Sequence, residues 1–328
     1  MRTSFLHVAD MRLGSRHPAD AAVFEQVAKQ FRFVVDYALD QRASFVVFSG
    51  NLFDSPELEP ETLQAAWRGL RRLAEKNVAA IAIRGRSEMA LERSGMSWQD
   101  VLAQDGLLAS LEPALADSQL ELCRWERRDG RGSYLDLGRC RVFGLPYLGA
   151  LTGPFVQTLS RSIGALDNRE MDFRIVLLHC ALEHFTQIFA PRLTYSDLLM
   201  LRRHVDYVAL GGVDQVYEAE GWAYNPGSAG FFHVTVDTAV QPKHIARHVA
   251  YPTTLAAGRH APRPLRPGRR EVEEQVIERL LEAEPQPQRA SHQAAARLVS
   301  ESLWTSRDSA QLRQRVLELA TQEPGSAA

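Results

Sequence analysis

Three short apolar runs near the N-terminus, each closing on a polar loop, constrain the fold more than any other feature. Residues 3–9 (Thr-Ser-Phe-Leu-His-Val-Ala) run into Asp10-Met11-Arg12-Leu13-Gly14-Ser15. Ser44–Ser49 (Ser-Phe-Val-Val-Phe-Ser) breaks at Gly50-Asn51, and Val78–Ile83 ends at Arg84-Gly85-Arg86-Ser87-Glu88. Apolar runs that do not alternate belong to strands buried on both faces. Helical patterns lie between them. Phe24, Val27, Phe31, Val34 and Ala38 follow Pro18, which suits a first helical position, and Leu63, Trp67, Leu70 and Leu73 share one face over residues 60–76. This rhythm predicts an α/β domain with parallel strands, whose functional groups gather at the carboxyl ends of strands. The loops at 10–15, 50–54 and 85–88 lie at such ends.

The middle of the chain is less regular. Segments 133–137 and 140–145 read as a hairpin, and Phe173–His179 as a buried strand ending in a histidine. Tyr195–Leu201 reads as a short helix, and Asp206–Leu210 as a strand ending at Gly211-Gly212-Val213-Asp214. Trp222–Asn225, Phe231–Asp237 and His244–Val249 read as closing strands, with a turn at Asn225-Pro226-Gly227-Ser228. From Pro252 to Pro267 the chain is rich in Pro, Arg and Ala, as a linker would be. Val272, Val276, Ile277, Leu280 and Leu281 then mark an amphipathic helix, broken at Pro285 and Pro287. Leu298, Val299 and Leu303, then Leu312, Val316 and Leu319, mark two more helical stretches. The expected division is a body at 1–250, a Pro/Arg-rich linker at 251–270, a helical segment at 271–321 and a tail at 322–328.

Charge narrows the function classes. The 328 residues carry 38 basic and 40 acidic side chains, which excludes a histone-like or ribosomal type of protein. All the basic residues except Lys29, Lys76 and Lys243 are arginine. A GC-rich genome is the simplest reason, although the guanidinium fork also suits phosphate. The three cysteines, Cys123, Cys140 and Cys180, are odd in number and lack metal-site spacing, which argues against a disulfide framework. The opening is strand-like, not a charged segment followed by an apolar one, and the most apolar run, Ile175–Leu182, is far too short to span a membrane. The expectation is a reduced cytoplasmic protein without membrane contact.

The strand-end loops form a pattern. Phe5-Leu6-His7-Val8-Ala9-Asp10-Met11-Arg12-Leu13-Gly14 is followed by Phe48-Ser49-Gly50-Asn51-Leu52-Phe53-Asp54. Gly85-Arg86-Ser87-Glu88, Leu177-Leu178-His179, Asp206–Asp214 and Asn225-Pro226-Gly227-Ser228 come next. In this order the landmarks resemble the calcineurin-like metallophosphoesterases, most closely the SbcD-type DNA repair exonuclease branch, over residues 3–250. The resemblance implies a four-layer α/β sandwich, two mixed sheets flanked by helices, here with a helical C-terminal extension. It also implies two divalent cations, usually manganese, that activate a bridging hydroxide for phosphodiester hydrolysis.

The chain departs from that pattern at nearly every ligand. Asp10 stands, but Arg12 occupies the next ligand's histidine position. Asn51 stands where the bridging carboxylate belongs. Arg86 replaces the amide ligand, and Ser87 the catalytic histidine. His179 matches, whereas the final two imidazoles have become Gly212 and Asp214. Asn51 is neutral and a poor bridge between cations. A guanidinium at position 12 or 86 repels an incoming ion by about 4 kcal/mol per unit charge pair at 4 Å and an effective dielectric near 20. The same arginines can compensate Asp10, Asp54, Glu88 or Asp214. The expectation is therefore no resident metal and no intact catalytic residue, with manganese as the cofactor if the site still functions.

Each residue also has a plainer reading. Asp10 and His179 can be remnants that hydrogen-bond neighbours, Arg12 and Arg86 salt-bridge formers, His7 a core histidine and Asp54 a structural residue. Arg259, Arg263, Arg266, Arg269 and Arg270 can touch a nucleic-acid backbone or simply solvate a spacer. In SbcD-like proteins a helical segment beyond a linker docks on a coiled-coil SbcC-type ATPase, and the 271–321 segment has that form. The family's capping domain is missing or much reduced here, and its members commonly dimerise. The favoured expectation is a catalytically inactive SbcD-like subunit, DNA-associated or scaffolding, with an SbcC-type ATPase. The runner-up is an active phosphoesterase or exonuclease with an altered metal site built from Asp10, Asn51, His179 and Asp214. A third reading is an interaction scaffold for which neither DNA nor phosphate matters.

Overall fold

The apolar runs do form strands buried on both faces, and they sit side by side. In the computed structural model, which describes residues 1–16, 22–89, 96–116, 119–183, 185 and 192–252, β1 (Arg2–Val8), β2 (Phe45–Phe48), β3 (Ala79–Ala82) and β4 (Ala109–Ser110) run parallel. The second group is β5 (Tyr134–Leu137), β6 (Cys140–Leu145), β7 (Phe173–His179), β8 (Tyr207–Gly211), β9 (Tyr217–Ala219) and β10 (Ala223–Asn225). The last two strands, β11 (Gly230–Asp237) and β12 (His244–Ala250), return to the first group. One six-stranded sheet therefore has the order β12-β11-β1-β2-β3-β4, and the other β9-β10-β8-β7-β6-β5. Both are mixed: β11 is antiparallel to β1, and β5 to β6. Helices α1 (Ala22–Asp40), α2 (Pro60–Glu75), α3 (Trp98–Gln104), α4 (Thr152–Ala165) and α5 (Tyr195–Leu201) flank the sheets.

Alternation along β1 shows how two cores arise from one strand. Leu6 and Val8 join Val27, Phe31, Val34 and Leu70 in the core under α1 and α2. Phe5 points the other way, into the core shared by the two sheets, with Phe45, Ile175, Tyr207 and Phe232. There Phe5 stacks on Phe45 at 4.9 Å and meets the edge of Tyr207 at 5.3 Å. Each such aromatic or aliphatic side chain contributes on the order of 2 kcal/mol by leaving water.

His7 lies in the same inter-sheet layer and is a core histidine, as its strand position suggests. Its Nε2 is 2.9 Å from Ser49 Oγ and 3.0 Å from Leu210 O, and its Nδ1 is 2.9 Å from Tyr207 Oη. Ser49 Oγ is itself within 2.8 Å of Leu210 O. A carbonyl only accepts, so Nε2 carries the proton and Nδ1 accepts from the Tyr207 hydroxyl. Burial lowers the His7 pKa to about 3. The neutral ring thus pins the first sheet to the second directly below the strand-end loops.

Two expectations need correction. Trp67 does not join the buried face of α2, which consists of Thr62, Ala66, Gly69, Leu70 and Leu73. Trp67 is exposed and carries the Arg71 guanidinium over its ring at 4.8 Å. Gly69 takes the contact instead, because a Cβ there would collide with the Phe31 ring. The middle also holds two helices beyond the expected one. Ser97 and Asp100 form a reciprocal cap at the start of α3. Pro154 sits in the first turn of α4, where its missing N–H costs nothing. Pro18, the linker beyond residue 252, the helical segment at 271–321, the tail and the five linker arginines lie outside the described residues. No described helix is long and apolar enough to cross a membrane.

Candidate functional site

The carboxyl ends of β1, β2, β3, β7 and β8 converge on one edge of the sandwich. The loops after β1 and β2 are zipped together: Asp10 N–H donates to Gly50 O (3.1 Å), Arg12 N–H to Asn51 O (2.8 Å) and Leu13 N–H to Leu52 O (2.8 Å). This pairing holds three non-glycine residues, Asp10, Arg12 and Asn51, at φ values of 49°, 52° and 52°. Backbone strain of this kind costs about 1 kcal/mol or more per residue and collects at functional sites.

Asp10 is fully buried, and both its oxygens are occupied. Asn51 Nδ2 donates to Oδ1 at 2.7 Å, and Gly212 N–H donates to Oδ2 at 2.7 Å. Arg12 Nη2 stands 3.8 Å from Oδ1, an ion pair without a hydrogen bond. Asn51 turns its other end to Ser87, whose N–H (2.9 Å) and hydroxyl (2.7 Å) meet Oδ1. Ser87 Oγ also lies 2.9 Å from Phe53 O. Ser87 is therefore spent on holding Asn51.

Glu88 organises these loops from beneath, and it does so with N–H donors. Asn51 N–H (2.9 Å) and Gly85 N–H (2.8 Å) donate to Oε2, while Phe53 N–H (2.8 Å) and Gln99 Nε2 (2.8 Å) donate to Oε1. Burial nevertheless raises its pKa to about 7, with the Gly85 and Phe53 N–H groups opposing. A Cβ at Gly85 would strike Asn51, so glycine is required there for the two loops to approach.

His179 closes the site from the second sheet. Its Nδ1–H donates to Ser49 O at 2.8 Å, which fixes the tautomer and leaves Nε2 as the unprotonated nitrogen. Burial depresses its pKa; Asp10 pulls upward, and Arg12 and Arg86 push down. Gly212 is exposed at φ 94°, and a Cβ there would lie 3.3 Å from His179 Nε2, so glycine keeps that approach open. Asp10, Asn51, Ser87 and His179 thus gather around two guanidinium groups. Asp214 is held through its backbone, where its carbonyl accepts from Ser228 N–H at 3.1 Å. No group of three or more His, Cys, Asp or Glu side chains suited to a metal ion exists among the described residues, so Asp214 does not join Asp10 and His179 in one.

The donor set does not fit a dinuclear centre. Its one central carboxylate already accepts from two N–H donors, Asn51 turns a donating amide toward it, and a guanidinium stands 3.8 Å away. Sequence reasoning missed Ser49, Gln99 and the Gly212 N–H as parts of this arrangement. Two of the three act through the backbone, which side-chain motifs do not reveal.

Comparison with known proteins follows from this geometry. A solved structure of the calcineurin-like phosphoesterase YfkN from Bacillus subtilis aligns over 76% of this chain and 91% of that one, at TM-score 0.50 and 10% identity. The chain therefore has the fold of the calcineurin-like phosphoesterases. The DNA double-strand break repair protein Mre11 of Aeropyrum pernix is 29% identical over 142 residues, 43% of this chain and 32% of that protein. Mre11 of Methanococcus maripaludis is 32% identical over 85 residues, 26% of this chain and 23% of that protein. The matched stretches span a third or less of these relatives. No established family profile matches the chain. These likenesses show the phosphoesterase fold and a partial resemblance to Mre11.

Proposed function

We propose that this chain is a catalytically inactive SbcD-like homologue that serves as a DNA-associated or scaffolding subunit beside an SbcC-type ATPase. One observation carries the loss of catalysis. Asp10 spends both oxygens on Asn51 Nδ2 and Gly212 N–H and has Arg12 at 3.8 Å. The two hydrogen bonds and the nearby guanidinium compete with a cation for Asp10, and a hydroxide nucleophile needs a cation to lower its pKa. Here the charge that a cation would balance is balanced by the protein. The chain's residues hold the cleft in a fixed shape: Glu88 and Ser87 brace Asn51, Asn51 braces Asp10, and His179 rests on Ser49.

The SbcD likeness supports the remaining parts of the proposal. The 1–250 body holds the cleft, the 251–270 linker with Arg259, Arg263, Arg266, Arg269 and Arg270 touches a nucleic-acid backbone, and the 271–321 segment docks on the ATPase. Dimerisation through the body and a cytoplasmic location belong to the same reading. The His179 geometry favours the runner-up, an altered metal site, because a histidine that donates Nδ1–H to a carbonyl presents Nε2 as metal-ligating histidines do. The two readings separate in an exonuclease assay on duplex ends with and without manganese. Inactivity under both conditions is expected, together with co-purification of a large coiled-coil ATPase. Manganese-dependent degradation that chelator abolishes contradicts the inactive assignment.

A further inference from the structure

Arg12 is an incomplete feature of this cleft. Its guanidinium has five donors, yet it meets Asp10 as an ion pair at 3.8 Å, and that carboxylate already accepts from two neutral N–H donors. Its Nε is buried without a hydrogen-bond partner. Buried unpaired donors are rare in folded proteins, and each calls for an explanation. The backbone holds Arg12 at φ 52°, a conformation an arginine adopts only under constraint. A strained residue whose Nε–H is buried and unpartnered lacks an acceptor there.

The surroundings specify the acceptor. Arg12, Arg86 and Asp10 all act on the His179 ring, and the carboxylate among them is internally satisfied. Glycine at 212 leaves His179 Nε2 approachable, and with its proton on Nδ1 that nitrogen accepts a hydrogen bond from a protonated oxyanion. A planar fork beside an imidazole acceptor matches a phosphoryl group in its singly protonated form, which has several oxygens and which a phosphate monoester adopts as pH falls to about 6.

We infer that the cleft binds a phosphate monoester or free phosphate without metal, with Arg12 as the anion-binding residue and His179 Nε2 as acceptor from the protonated oxygen. The inference rests on the metal-free reading of the site. It changes the role of the cleft from cutting a phosphodiester to holding a phosphoryl group.

The test is calorimetric titration of the full-length protein in chelator with three probes: inorganic phosphate, a 5′-phosphorylated oligonucleotide and the same oligonucleotide unphosphorylated. Phosphate-dependent binding is expected, weakened about tenfold or more in Arg12→Gln, the loss typical of a charge-assisted hydrogen bond. Arg12→Lys keeps the charge without the fork and should fall between. Preference for the phosphorylated oligonucleotide identifies a nucleic-acid end as the source, and binding of inorganic phosphate alone identifies the free ion. Thermal melting without phosphate shows that the variants fold. If Arg12→Gln does not fold, wild type and Arg12→Lys carry the test. Absence of phosphate-dependent binding in wild type, or equal binding by the variants, overturns the inference and leaves the metal-free reading intact. Manganese-dependent hydrolysis of the oligonucleotide in a parallel sample overturns the metal-free reading and this inference together.

Discussion

Gly50 shows how closely the site depends on single residues. It sits at φ 92° with its Cα against the His179 ring, so a Cβ there would collide with Nδ1. Gly50→Ala should therefore cost more than about 2 kcal/mol, through both strain and collision, and should lower the melting temperature by several degrees. His7 gives a prediction in pH. Its ordinary pKa is 6.5, and burial lowers it to about 3 in the folded chain. Below pH 6.5 the unfolded chain takes up a proton that the folded chain refuses. The stability present at neutral pH is thus lost as pH falls from 6.5 toward 3, by on the order of 1 kcal/mol per pH unit from this residue. Urea unfolding of wild type and His7→Asn across pH 4–7 should give a shallower slope in the variant, and parallel profiles would contradict the account.

At the scale of elements, Glu88 joins three loops. Glu88→Ala strands the N–H groups of Asn51, Phe53 and Gly85 and the Gln99 amide without an acceptor. The expected cost is about 3 kcal/mol or more by chemical denaturation, with faster hydrogen exchange at residues 51, 53 and 85. On α2, Leu70→Ala should cost roughly 2–5 kcal/mol, whereas Trp67→Ala should cost about 1 kcal/mol or less because Trp67 is exposed. That contrast marks how far the sequence could be read. Continuous apolar runs identify β1, β2, β3, β7 and β8, since burial on both faces leaves no other composition. Helical spacing identifies α2 but misassigns Trp67, because its aromatic ring finds an Arg71 partner at the surface. Helix α4 is hidden because Gly153, Pro154 and Gly164 read as loop punctuation when their positions in the first and last turns are unknown. Asp10, Asn51 and His179 are legible from their loop motifs. The donors that saturate Asp10 and Glu88 are largely main-chain groups, which exist in every sequence and signal nothing until the chain is folded.

For the whole molecule, the two-sheet frame brings five strand ends together, and β1, β2, β3, β7 and β8 deliver their loops to one edge. What has changed is the balance of charge inside that frame. The first sheet supplies Asp10 and two guanidinium groups, while the second supplies His179 and the Gly212 N–H. Arg12→His with Asn51→Asp would remove one cation and add one carboxylate. The double variant should gain affinity for manganese relative to wild type, read by metal titration, because electrostatic repulsion falls while ligand number rises. The most direct test needs no variant: elemental analysis of the protein after equilibration with manganese and removal of loosely held ions. A fixed internal charge balance predicts well under one manganese per chain, and two tightly held manganese ions per chain would contradict it.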